Sequence, residues 1–216
     1  MVLLSPSIGG LRKLLAVCER FASTHGMKYN VKKSELMIFR AGKGPERVPP
    51  VYLNGSPVQV VKQFRYLGHV LTEHLDDDAD MERERRALAV RCNMLARRFA
   101  KCSRDVKVTL FKAFCTCFYT CQLWRKYKRK SYGTLRVQYN NAFRIMMRLP
   151  RCCSASAMFA EAGVPDFFAL LRERIASFWQ RIRDSPNELL TVVSNDLYKS
   201  PFLSHWLDVH RSANRK

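Results

Sequence analysis

Apolar residues recur with two different periods in this chain, and the change of period falls near residue 75. Leu11, Leu14, Leu15, Cys18, Phe21 and Ala22 lie three and four apart, which marks one face of a helix. Gly26 follows as the left-handed residue expected just past a helix end. Ser34–Arg40 is short and rich in Leu, Met, Ile and Phe, which predicts a strand, and Gly42-Lys43-Gly44-Pro45 breaks it. Val51-Tyr52-Leu53 and Val58–Val61 flank Asn54-Gly55, the strongest short hairpin signal because both turn residues tolerate positive φ. Phe64–Leu71 predicts a further strand with Gly68 inside it.

After Asp76 the helical period takes over. Asp76–Asp80 opens a long helix with Leu88, Cys92, Leu95, Phe99 and Cys102 on one side. Ser103 is placed to cap a second, with Leu110, Phe114, Cys117 or Phe118, and Cys121 facing inward. A third carries Leu135, Tyr139, Ala142, Phe143, Met146 and Leu149 and ends at Pro150. Arg151–Ala157 reads as a linker. Another helix begins at Asp166 and buries Phe167, Leu171, Ile175, Phe178 and Ile182. A last one opens with Ser185-Pro186-Asn187-Glu188, a capping box with proline at its first position. From about Lys199 no element is predicted, and the final residues are expected to fray. The fold class is α+β: a small sheet with a helix and hairpin over 1–75, a mainly helical bundle over 76–150 and a helical extension over 151–216.

Charge changes the picture. The chain holds 38 Lys+Arg against 18 Asp+Glu, a net +20. Between Glu82 and Arg151 there are 19 basic residues and three acids, Glu82, Glu84 and Asp105. Solvated helix faces normally mix signs to gain pairs one turn apart. Faces of one sign repel themselves, so this surplus implies a polyanionic partner, with nucleic acid the default. An anionic membrane surface finds no support in a lipidation motif or a long apolar span.

The eight cysteines fall mostly on apolar faces, and Met1–Leu4 is too short and lacks the basic leader of a signal peptide. That reading is of reduced, buried thiols in an intracellular protein. Cys115-x-Cys117-x₃-Cys121 has no neighbouring His, and positions two apart on a helix diverge, so a zinc site is disfavoured.

Four blocks, taken in order, carry a family resemblance. Cys18-x-x-Phe21, Gly26, Asn30 and Lys33-Ser34 form the first. Phe64-Arg65-Tyr66-Leu67-Gly68-His69-Val70 is the second. Asp78-x-Asp80-x-Glu82-Arg83-Glu84-Arg85-Arg86, running to Arg97-Arg98-Phe99, is the third. The fourth joins Leu110–Phe114, Tyr119-x-Cys121-x-Leu123-Trp124 and Tyr139-Asn140-Asn141-Ala142-Phe143-Arg144. Together they resemble the end of the palm and the thumb of a non-LTR (LINE-type) retrotransposon reverse transcriptase, over about residues 1–183. The first block looks like motif D, just after the family's catalytic Tyr/Phe-x-Asp-Asp turn. The resemblance therefore places the polymerase aspartates upstream of Met1.

The resemblance implies site residues. Lys33, with Lys32 as its possible substitute, takes the position of a lysine proposed to protonate leaving pyrophosphate. Without metal-binding aspartates, a plain solvent-facing lysine is the simpler reading here. Phe64, Arg65, Tyr66, Leu67 and Gly68 fall on the primer grip, a tight turn that holds the primer end, with an edge strand as the competing reading. Arg83, Arg86, Arg91, Arg97, Arg98 and Lys101 of the first thumb helix are candidates to track duplex phosphates. Arg125, Lys126, Tyr127, Lys128, Arg129 and Lys130 form a basic junction able to grip phosphate and stack on a base or sugar. A solvated loop is the alternative. The acid run Asp76–Glu84 fits the positive end of a helix better than a metal pair.

The implied domains are a partial palm (1–75), a helical thumb (76–150) and an extension (151–216). The parent enzyme is an RNA-directed DNA polymerase using Mg²⁺. No cofactor is expected in this chain, which is expected to bind RNA, DNA or their hybrid without extending it. Upstream reverse-transcriptase segments are further candidate partners. The alternatives are a domesticated, non-catalytic nucleic-acid-binding protein and the non-functional product of a truncated element, for which a mis-assigned start at Met1 is the sign. Residence in the nucleus is compatible with such elements, although Arg125–Lys130 is a weak address. A palm without its neighbouring strands exposes edges and apolar surface, so 1–75 is expected to be less ordered in isolation than 80–150.

Overall fold

The computed structural model of the protein describes residues 1–39, 48–196, 199, 201 and 203–207. Arg40 and the Gly42–Pro45 break lie outside the described residues. The architecture is α+β, and the chain divides into two compact units, Met1–Leu75 and Asp76–Lys216.

In the first unit the Ser7 side chain accepts from the Gly10 N–H and caps α1, Ile8–Thr24. The apolar stripe forms as the spacing predicts, but of its residues only Ala22 is buried. Asn30 then caps a 3₁₀ turn, Val31–Lys33, that delivers β1, Glu35–Met37. β2 (Tyr52–Leu53) and β3 (Ser56–Pro57) close antiparallel around Asn54-Gly55, both at positive φ as the dipeptide predicts. β4, Gln59–Val61, pairs parallel with β1, Glu35 opposite Gln59. Parallel strands are normally covered on both faces. Here Val60 is left exposed.

The expectation of one strand over Phe64–Leu71 is corrected. β5 (Gln63–Tyr66) and β6 (His69–Thr72) form a second tight hairpin, turning at Leu67-Gly68 with φ of +46° and +84°. Leucine has none of the chemistry that favours a turn, so the residue pattern hides the break and only the primer-grip resemblance implied a tight turn here.

The second unit is helical: α2 (Asp78–Arg98), α3 (Arg104–Phe114), α4 (Arg129–Met147), α5 (Ala155–Glu161), α6 (Phe167–Arg183) and α7 (Glu188–Asn195). Helices α2 and α4 run side by side in the same direction. Arg85 reaches Gln138 at the middle of α4, and further along both helices the Cys92 thiol donates to the Ala142 carbonyl at 3.1 Å. Leu88, Cys92 and Leu95 of α2 share one core with Leu135, Tyr139, Ala142, Phe143 and Met146 of α4. That core continues past residue 150 through Met158, Phe159, Phe167, Leu170 and Leu171. Aromatic edges knit it: Phe111 meets Phe143 at 4.9 Å, Phe118 meets Phe167 at 5.8 Å, and the Tyr139 hydroxyl donates to the Pro165 carbonyl at 2.9 Å.

Several boundaries differ from expectation. Helix α2 stops before Phe99, so Cys102 is not on it. Ser103 does cap α3, but the buried side chain is Phe111, and Phe114 is exposed. Residues 155–161, read as the end of a linker and unassigned chain, form α5 and bury Met158 and Phe159. Asp166 caps α6, whose Phe178 is only partly covered. For α7 the cap is Asn187, not Ser185, and nothing on that helix is buried. Residues 203–207 are helical and put Trp206 in the core. No helix among the described residues is long and apolar enough to cross a membrane.

Candidate nucleic-acid interface

The acid run that opens α2 determines how its basic neighbours are used. Asp80 is fully buried. Its carboxylate accepts from Arg83 Nε at 2.7 Å, from Trp124 Nε1 at 2.7 Å and from the Thr120 hydroxyl at 3.0 Å. Asp77 accepts the Arg125 and Lys126 backbone N–H groups at 2.7 and 2.8 Å, and Asp78 accepts that of Lys128 at 3.0 Å. Glu84, also buried, accepts from Arg83 and Arg91. These carboxylates are occupied by protein donors, so they do not fit a magnesium pair. Nor does any cluster of three His, Cys, Asp or Glu among the described residues fit a metal ion.

Two of the expected phosphate contacts are corrected by this geometry. Arg83 and Arg91 are held against buried carboxylates, and each also reaches across to the α3–α4 connection, at the Tyr119 and Cys117 carbonyls. They are internal struts: withdrawing Arg83 takes a cation from both Asp80 and Glu84, and withdrawing Arg91 takes one from Glu84. Tyr127 is corrected as well. Its ring stacks on Tyr132 at 5.5 Å and receives His205 edge-on at 5.4 Å, with its hydroxyl 3.1 Å from His205 Nε2. Burial pushes its pKa up to about 12. The ring belongs to the protein interior and is not presented to a base.

The other cations stay at the surface in two groups. Arg125, Lys126, Lys128, Arg129 and Lys130 are exposed where the pinned loop enters α4. Lys130 also lines a groove of about 370 Å³ with Met81, Glu82, Arg85, Ser131 and Thr134. Glu82 there is clamped by Arg85 through two bonds and by Arg86 at 2.8 Å. The Arg85 hydrogen bond is the largest of the causes that lower the Glu82 pKa to about 2. Arg86 nonetheless remains largely exposed. The second group, Arg97, Arg98 and Lys101, lies at the far end of α2, where a helix favours positive charge. Eleven residues separate Arg86 from Arg97, about 16 Å along the axis. Val90 and Met94, both exposed, lie between.

In the first unit the Leu67-Gly68 turn presents Arg65 and Tyr66 as exposed side chains, and Leu67 is 72% exposed at the tip. Phe64 is partly buried and its ring lies 6.5 Å from that of Tyr66. Lys33 is exposed at the end of its 3₁₀ turn, its N–H held by Asn30. Lys32 lines an open groove with Tyr29, Asn30 and Gln59.

The cysteines play no part in this surface chemistry. All eight are free. Burial drives the thiols of Cys92, Cys115 and Cys121 up to about 11, 12 and 12, so they stay protonated at neutral pH. Cys115 and Cys121 are buried in the core while Cys117 is exposed, which sets Cys117 apart from the other two.

No family model, curated protein or solved structure matches this chain.

Proposed function

We propose that this chain is a palm-and-thumb part of a LINE-type reverse transcriptase, and that it holds a template–primer duplex of RNA and DNA without extending it. The order of the four sequence blocks supports this reading. The observation that carries it is the division among the basic residues of the helical unit. Arg83 and Arg91 serve buried acids, whereas Arg97, Arg98, Lys101, Lys128, Arg129 and Lys130 stand exposed with no acidic partner among the described residues. Cations kept at the surface and left unpaired repel one another until a polyanion arrives. These 216 residues contain no Tyr/Phe-x-Asp-Asp turn, so on this reading they bind and do not polymerise. The exposed apolar side chains of the first unit fit burial against the upstream segments of such an enzyme.

A second reading, an accessory nucleic-acid-binding protein working through its helices alone, is favoured by one observation: the helical unit closes its own core.

Fluorescence anisotropy with a primed RNA–DNA hybrid, across a salt series, tests both. Binding is expected to weaken steeply with salt, by about 0.9 in log K per log salt for each phosphate neutralised. No binding at low salt overturns both readings, and nucleotide incorporation by the purified chain overturns the non-catalytic assignment. Arg65→Ser with Tyr66→Ser weakens binding to the primed end under the first reading and leaves it unchanged under the second.

A further inference from the structure

A further basic pair lies where α4 meets α6, beside Tyr132, whose ring stacks on Tyr127 of the Arg125–Lys130 junction. The Tyr132 ring of α4 packs edge-on against Phe167 at 5.1 Å and lies 6.4 Å from Phe168. One turn beyond Tyr132, the Arg136 guanidinium sits over the Phe168 ring at 5.7 Å. One turn beyond Phe168 is Arg172. Side chains four apart share a helix face, so the touching rings bring both arginines to one seam. Both are exposed, and neither has a carboxylate partner among the described residues. The Tyr132 hydroxyl on the same face of α4 is buried with no hydrogen-bond partner among the described residues. A buried hydroxyl left unbonded is destabilising, a state that an acceptor brought within its reach relieves. Burial holds that phenol in its protonated, donating form, and both arginines act on it electrostatically.

We propose that Arg136 and Arg172 form a phosphate clamp, with the Tyr132 hydroxyl as a third donor. Guanidinium forks match phosphate oxygens, and the ring under Arg136 fixes that fork in place. On the reading given above, the phosphate belongs to the nucleic-acid backbone, and the clamp enlists α6, from the extension, in holding the duplex.

Two probes test this on the full chain. With the RNA–DNA hybrid, Arg136→Gln plus Arg172→Gln lowers the salt slope by about two units, one per lost contact. Arg181→Gln plus Arg183→Gln, an exposed pair on the same helix, lowers it by much less. With inorganic pyrophosphate followed by calorimetry, the wild type binds, the Arg136/Arg172 variant loses at least tenfold in affinity and the control pair does not. Tyr132→Phe weakens pyrophosphate several-fold while leaving the free protein at least as stable. Equal losses in the two double variants, or no pyrophosphate binding by the wild type, overturn the clamp. An unchanged Tyr132→Phe affinity removes the hydroxyl from it. Pyrophosphate bound at the pair with no binding of hybrid keeps the clamp and sinks the nucleic-acid reading.

Discussion

Phe111 and Phe21 each lie on an amphipathic helix, yet one is completely enclosed and the other is 53% exposed. The contrast holds for the units they belong to. Between residues 76 and 216, helix faces meet other helix faces, and side chains such as Leu88, Trp124, Leu135, Tyr139 and Phe143 lose all contact with solvent. Between residues 1 and 75, α1 and two-strand ladders bury little beyond Ala22, Val51, Leu53 and Val70. Apolar content alone therefore does not make a core. A helix stripe is stabilising only where a second surface covers it, at roughly 25 cal/mol per Å² removed from water. The helical unit supplies its own cover, and the α/β unit leaves Leu14, Val17 and Phe21 uncovered.

The largest test of that contrast is a matched pair of truncations. Phe111→Ala should cost about 3–5 kcal/mol, because the ring leaves a cavity among Tyr139 and Phe143. Phe21→Ala should cost less than about 1 kcal/mol. All three tryptophans, Trp124, Trp179 and Trp206, lie in the helical unit, so their fluorescence in urea reports on that unit alone. Amide exchange reports on both, and α1 is expected to exchange faster than α4. Comparable protection of α1 and α4 would remove the distinction.

The next effect concerns charge in place of apolar area. Asp80→Ala withdraws an acceptor from Arg83, Thr120 and Trp124 together. It should cost about 3–5 kcal/mol, since the buried Trp124 indole N–H loses its acceptor and Arg83 keeps only Glu84 of its two carboxylates. Asp80→Asn should retain part of this. The same urea titration, followed by tryptophan emission, measures both. A loss under 1 kcal/mol for the alanine variant would mean that the loop between α3 and α4 holds without its carboxylate anchor.

In the α/β unit a smaller effect of opposite sign is expected. Leu67 occupies left-handed backbone, which costs an ordinary side chain about 1–2 kcal/mol. Leu67→Gly should therefore raise the hairpin's stability by up to about 1 kcal/mol, seen as slower amide exchange in β5 and β6. If the tip touches nucleic acid, the same change weakens hybrid binding. A gain in stability with no change in binding would make the strained leucine structural only.

What could be read beforehand follows the same physical line. The core face of helix α4 was legible, because Leu135, Tyr139, Ala142, Phe143 and Met146 repeat without interruption, but the helix ends at Met147, short of the expected Leu149. The Asn54-Gly55 turn was legible because its residue types fix the backbone locally. Helix α3 was read one residue out of phase, since both Phe111 and Phe114 fit an apolar spacing. The choice is made by tertiary packing: Phe111 lies against Tyr139 and Phe143, while Phe114 is exposed. The candidate site divides likewise. That Arg97 and Arg98 stay outside was readable from charge. That Arg83 and Arg91 turn inward was not, because their partners' burial is a tertiary fact. The Arg136–Arg172 pair was hidden for the same reason: 36 residues separate two side chains that helix packing brings to one seam.

The smallest effect is a pH dependence inside the helical unit. Glu82 carries a pKa lowered to about 2 by Arg85 and Arg86, so its ionised form is favoured by folding. A depressed carboxylate contributes its stability above its unfolded value, near 4.5, and loses it as pH falls toward 2. Its side chain is 40% exposed, so solvent and salt screen the pair and the contribution is modest. The melting temperature followed by tryptophan emission should therefore drop slightly between pH 4.5 and 2 from this group. High salt should shrink the drop, and Glu82→Gln should remove it. If Glu82→Gln leaves the acid limb of the melting curve unchanged, the three-residue clamp contributes nothing to folding, and its arginines are available for a phosphate after all.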